Sequence, residues 1–154
     1  MDERIAIAAM IISFSAMALA QVIKFVTWSI KSKKFFVRAL ISTGGWPSSH
    51  CALVTALAFS TLALLDYKIN LFFALAIVVS IIIVHDAMGV RLEASKHAEI
   101  LNDINEELSE KGLVQLRKKP LKERLGHEPF EVLGGIILGV AVALVGCLIF
   151  QATN

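Results

Sequence analysis

The chain has 154 residues, 56% hydrophobic and 18% charged, with a net charge of +2 and a mean hydropathy of +0.72. That length suits one domain. The apolar excess is gathered into runs long enough to cross a bilayer, which excludes an ordinary soluble domain and points to an integral membrane protein. Two cysteines, Cys51 and Cys147, both lie inside apolar runs, so no disulfide framework or zinc-knuckle spacing is present.

The first apolar run, residues 5–26, is broken only by Gln21 and Lys24 near its end. A signal peptide is the competing reading, but the preceding Asp-Glu-Arg is not net basic and the lysines follow the run, which favours a retained helix. From Lys24 to Gly45 the chain is basic, with Lys31, Lys33, Lys34 and Arg38 among Phe35, Phe36, Leu40 and Ile41. This pattern predicts an interfacial or re-entrant amphipathic piece. The second run, from Cys51 to Leu65, reaches spanning length if its helix starts at Pro47. Residues 66–70, DYKIN, read as a tight turn. The third run, from Leu71 to Val84, ends in HDAMGVR.

A polar stretch follows, residues 91–128. Leu92, Leu101, Ile104 and Leu108 fall near helical spacing and predict an amphipathic helix to about Glu110, stopped by Gly112. Pro120 can open a second short helix, PLKERL, with Gly126 as its stop. The fourth run is Phe130 to Phe150. Gly135 and Gly139 inside it form a small-residue seam for helix packing, exposed enough to serve a homodimer.

The fold class expected is therefore all-α: a polytopic membrane bundle of about four transmembrane helices, with amphipathic or interfacial helices on its cytoplasmic face. It forms one integral membrane domain over residues 1–154, with spans near 5–26, 47–65, 70–88 and 129–150. Residues 27–46 and 91–128 form the cytoplasmic segments. All of the 15 lysines and arginines except Arg4 and Lys68 lie between residues 24 and 50 or between 91 and 128. Four spans put those segments on one side, and the excess of positive charge makes that side cytoplasmic.

All four histidines, His50, His85, His97 and His127, fall on this basic face, with Asp86, Arg91 and Glu131. In GGWPSSH, residues 44–50, Gly44 and Gly45 permit a tight turn near a ligand. Pro47 suits a first helical position and Ser48 or Ser49 can cap. The free N–H groups of that helix start form an anion site. His50, in the first turn, can donate a proton; the plainer reading is a helix start with a chance histidine.

Asp86 and Arg91 are costly near a membrane and are functional candidates, although they can also simply pair with each other. Arg91 can grip a phosphate bidentately. His127 lies on a short link, and Glu131, one helical turn on, can reach its imidazole and leave the other nitrogen as nucleophile or base. The plainer reading here is N-capping by His127 and Glu128. A zinc or manganese site built from His50, His85, Asp86 and His127 is the chemical alternative.

At GGWPSSH, HDAMGVRLEASKHAEILN and LGHEPFEVLGGIILG the sequence resembles the divergent type-2 phosphatidic acid phosphatase family, related to acid phosphatases and vanadium-dependent haloperoxidases. The resemblance runs from about Gln21 to Gly139. It implies a helical core, a phosphohistidine intermediate, and no metal or other cofactor. The better-known phosphatases of this superfamily carry Lys-x6-Arg-Pro, Pro-Ser-Gly-His and Ser-Arg-x5-His-x3-Asp. Pro47-Ser48-Ser49-His50 matches the second motif with serine for glycine, and implies His50 as the acid. Lys31 and Arg38 keep the first spacing, with Ala39 in place of proline; Lys24 is an alternative ligand. The third motif is split. Arg91 and His97 keep its first spacing but Leu101 replaces the aspartate. His127 and Glu131 keep its second spacing, but Leu121 replaces the arginine.

The resemblance thus implies His127 as nucleophile, with His97 the second choice. His50, Glu131 and Asp86 complete the catalytic set. Arg91, Lys24, Lys31, Arg38, Gly45, Ser48 and Ser49 are the expected phosphate ligands. The expected activity is hydrolysis of a lipid phosphomonoester or pyrophosphate at the cytoplasmic leaflet of a bacterial-type inner membrane. The expected partners are the lipid phosphate and the bilayer, with no nucleic acid. A non-catalytic lipid-phosphate scaffold and a metal-dependent hydrolase are the alternatives.

Overall fold

A computed structural model describes residues 3–33, 44–113, 117, 119–123 and 126–153. Five helices, and no strand among the described residues, make up the fold: α1 Glu3–Ser32, α2 Ser49–Leu64, α3 Leu71–Met88, α4 Val90–Glu110 and α5 Pro129–Thr153. α1, α3 and α5 are long and apolar enough to cross a membrane. α2 is apolar but only 16 residues long, about 24 Å at 1.5 Å per residue.

α2 is the axis of the bundle, with α1, α3 and α5 packed around it. Its composition allows this. Ala52, Ala56, Ala58 and Ser60 are all but inaccessible to solvent, and side chains this small let three neighbours approach one helix. α1 turns a single face to the core, Ala9, Ile12, Ala16, Ala20 and Lys24, at the spacing of one helical stripe. α3 lies on one side, burying only Ala76 and Ala87. Its Ser80 hydroxyl donates to the Val54 carbonyl of α2 at 3.2 Å.

Gly135 and Gly139 set the α2–α5 spacing. A Cβ on Gly135 would lie 2.4 Å from the Ser48 carbonyl oxygen, and one on Gly139 would lie 2.6 Å from that of Ala52. The small-residue seam expected on an exposed face is thus consumed within the chain.

Three local expectations are corrected. The basic piece after residue 26 is no separate interfacial helix as far as Ser32, because α1 continues unbroken to that point. No proline or glycine interrupts it there. Thr27 and Ser32 fold their hydroxyls back onto carbonyls of the preceding turn. Residues 34–43, with Arg38, lie outside the described residues.

Pro47 does not take the first helical position. Ser48 is the N-cap, its hydroxyl accepting from the Cys51 N–H at 3.4 Å, and Pro47 follows a cis peptide bond outside α2. The short helix expected from Pro120 is also absent over residues 120–123. Leu121 has both backbone groups bonded to the Asn102 side chain, and these bonds replace a helical ladder.

The turn at residues 65–67 places Asp66 and Tyr67 in the left-handed region, and Asn70 caps α3 through the Phe73 N–H at 3.0 Å. α3 and α4 break at Gly89, which closes α3 with an N–H bond to His85 and begins α4. α4 is amphipathic and ends as expected near Gly112, whose φ is +68°.

Candidate phosphate site

The start of α2, the start of α5, the end of α3 and the middle of α1 meet at one end of the bundle. Two backbone bonds tie them. The Ser48 N–H donates to the Glu131 carbonyl at 2.9 Å, and the His127 N–H donates to the Ala87 carbonyl at 3.0 Å. The first joins α2 to α5 and the second joins the α5 leader to α3.

His127 is 3% exposed. Its Nδ1 lies 2.8 Å from Glu131 Oε2. A carboxylate only accepts, so Nδ1 carries the proton, and in the neutral ring that tautomer puts the lone pair on Nε2. That Nε2 is buried without a hydrogen-bond partner among the described residues. A buried polar atom left bare is uncommon and calls for an explanation. The His50 ring lies 6.5 Å from the His127 ring, centroid to centroid, tilted by 58°.

Lys24 is 1% exposed on α1. Its ammonium donates to Ser49 Oγ at 3.3 Å, and Glu131 lies within its electrostatic reach. Burying an ammonium against a hydroxyl leaves much of its desolvation cost uncompensated. Lys24, His127 and Arg91 all act electrostatically on His50. Helix periodicity delivers Lys24 here, because it continues the α1 stripe that faces α2.

Arg91, in the first turn of α4, pairs with Asp86 in the last turn of α3. Asp86 therefore sits on Arg91 rather than on a histidine. The structure brings together Lys24, Ser48, Ser49, His50, Arg91, His127 and Glu131, with Asp86 paired to Arg91. Gly45, at a φ of +96°, shapes the turn leading into Ser48. Lys31 is exposed two turns beyond Lys24, about 10 Å along the axis. His97 is exposed beside Glu93 on α4. Among the described residues no three His, Cys, Asp or Glu side chains converge as metal ligands.

Trp46 stacks on Phe130 with ring centroids 6.1 Å apart and covers Gly134, forming an aromatic rim. An apolar groove of about 690 Å³ runs between α2 and α3 from Gly89 and His85 to Ile77 and Phe59, with Ile136 of α5 on its wall. Sequence reasoning missed the rim, the groove and the polar contacts that hold the His127 leader. The leader's contacts had a readable signal: Ser95, Asn102 and Asn105 share one face of α4 by helical spacing.

The uncharacterized membrane protein YuiD of Bacillus subtilis (strain 168) is 38% identical over 149 residues, which cover 90% of this chain and 93% of that protein. No solved structure gives a significant match. The sequence profile of the divergent PAP2 family matches residues 5–142, a span that contains Lys24, His50, Arg91, His127 and Glu131. The chain is a membrane protein belonging to the divergent PAP2 family.

Proposed function

We propose that this protein hydrolyses a lipid phosphomonoester through a phosphohistidine at His127. The observation that carries this reading is the buried Nε2 of His127, without a partner among the described residues, with Glu131 on its other nitrogen and the His50 ring nearby. Glu131 orients the ring and stabilises the imidazolium that forms as Nε2 attacks phosphorus.

The step breaks the ester P–O bond and forms a P–N bond. His50, protonated, supplies the proton that the departing oxygen takes. Neutral His50 then removes a proton from water as that water attacks phosphorus, and His127 departs unchanged. Lys24, Arg91, Ser49 and the α2 N-terminus neutralise the phosphoryl oxygens. Positioning and fixed charge are most of what phosphoryl transfer needs. Arg91 must turn from Asp86 toward the phosphate.

The groove supports a lipid as substrate. Ile77 to Met88 on α3 measures about 16 Å, close to one leaflet of a hydrocarbon core about 30 Å thick. A hydrocarbon tail lying there would leave its phosphate at the Gly89 end, near Arg91. The aromatic rim suits the headgroup level of a bilayer. The positive-charge rule puts this end at the cytoplasmic leaflet of the inner membrane, with α2 crossing as a short fourth span. Phosphatidic acid, phosphatidylglycerophosphate and a polyprenyl phosphate fit that side; a pyrophosphate is the longer variant.

The test is phosphate release by purified protein in detergent from these three lipids, with and without chelator. Wild type, His50→Ala and His127→Ala run side by side. Chelator-resistant release that both substitutions abolish is the expected result. Absence of release from folded protein would leave the lipid-phosphate scaffold as the reading, and release stopped by chelator would move it to a metal-dependent hydrolase.

A further inference from the structure

α4 has no evident packing reason to exist. It buries one residue, Ala98, and its main helical neighbour is α3. Its polar face carries a series of bonds to the returning chain. Asn105 accepts from the Arg117 N–H at 3.0 Å and donates to the Arg117 carbonyl at 3.1 Å. Asn102 accepts from the Leu121 N–H at 2.7 Å, donates to the Leu121 carbonyl at 3.0 Å, and also donates to Glu123 at 2.7 Å. Ser95 Oγ accepts from the Gly126 N–H at 3.2 Å.

The bonds run in antiparallel order. The chain climbs from 117 to 126 while its partners descend from 105 to 95, and the next bond is His127 to Ala87 on α3. Gly126 lies flush on α4, where a Cβ would sit 2.5 Å from Leu92 Cα and 2.9 Å from the Arg91 carbonyl carbon. The backbone before His127 is thereby laid against the residue that carries the guanidinium. A primary amide carries an acceptor and a donor side by side, so it can pair with the N–H and the C=O of the same residue at once.

We infer that Asn102 and Asn105, with Ser95, are positioning residues for His127, and that α4 is a splint bringing His127 and Arg91 to one site. The split third motif then has a physical counterpart. Where one helix could carry arginine and histidine together, this chain carries them on separate segments and rejoins them by side-chain to backbone bonds. The inference rests on the phosphatase reading only for its kinetic consequence; the placement of His127 is measurable without turnover.

The test compares full-length wild type with Asn102→Ala, Asn105→Ala and Asn102→Asp in detergent. Asn102→Asp keeps the acceptor for Leu121 and removes both donors. The first readout is the rate of diethylpyrocarbonate modification at His127, mapped by peptide mass, with exposed His97 as the internal control. Loss of bonds of ordinary strength predicts His127 modification about tenfold faster in the alanine variants. Asn102→Asp, which sets a second carboxylate against Glu123, should loosen His127 at least as much as Asn102→Ala, with the His97 rate and far-UV circular dichroism unchanged.

The second readout is phosphate release, where kcat should fall by a similar factor while KM stays within about twofold. A rate at His127 equal to wild type in both alanine variants overturns the splint. So does a loss of activity confined to KM. Faster modification in a protein that releases no phosphate supports the splint and sinks the phosphatase reading instead.

Discussion

The Ser48 N–H donates to the Glu131 carbonyl at 2.9 Å, and the Glu131 carboxylate holds His127 Nδ1 at 2.8 Å. One residue therefore joins the α2 N-terminus to the imidazole. Its backbone does the first task and its side chain the second, so the two can be separated by substitution.

Glu131→Gln keeps the backbone bond and a side chain of the same shape, but removes the charge that stabilises an imidazolium. Phosphate release should fall by about a hundredfold or more, with the melting temperature in detergent within a few degrees of wild type. Retention of most of the activity would show that Glu131 only orients the ring.

Lys24→Met tests whether the buried ammonium serves function or folding. Its hydrogen-bond partner is a neutral hydroxyl, Ser49 Oγ, so an apolar chain of similar length relieves an uncompensated desolvation cost. The variant should melt no lower than wild type and should lose phosphate release and phosphate inhibition. A large drop in melting temperature with activity preserved would make Lys24 structural.

Gly135→Val drives side-chain carbon into the Ser48 carbonyl and Cys51. Overpacking backbone against backbone has no flexible neighbour to yield, and should destabilise by roughly 3 kcal/mol. Thermal unfolding checks this, together with size-exclusion chromatography. If the seam served a second copy, the variant would change oligomeric state and leave the monomer's unfolding untouched.

Asp86→Asn releases Arg91 from its pair. Both side chains are about half exposed, so the pair adds at most about 1 kcal/mol to stability, and the melting temperature should barely move. Inhibition by inorganic phosphate should tighten by up to about fivefold as Arg91 becomes free to bind it. Arg91→Ala should abolish that inhibition. Weaker inhibition in Asp86→Asn would show that Asp86 holds Arg91 in its binding position.

The helical character, the apolar spans and most residues of the candidate site were legible in the chain itself. Apolar run length and positive charge need no partner to be read, and Pro47-Ser48-Ser49-His50 and His127-x3-Glu131 are patterns local in sequence. The divergent PAP2 family follows from those same blocks. Tertiary structure decided the rest, because burial and facing depend on which helix lies opposite. Lys24 read as the edge of a basic interfacial segment; the uninterrupted α1 stripe turns it into the bundle beside Ser49. Gly135 and Gly139 read as an outward seam; α2, built from alanine and serine, is slim enough to take that face. The run 120–125 read as a helix from its proline, but Asn102 offers Leu121 both bonds a helix would have used. Such bonds join residues far apart in sequence, so local pattern determined the residue types and the packing of α4 determined where His127 stands.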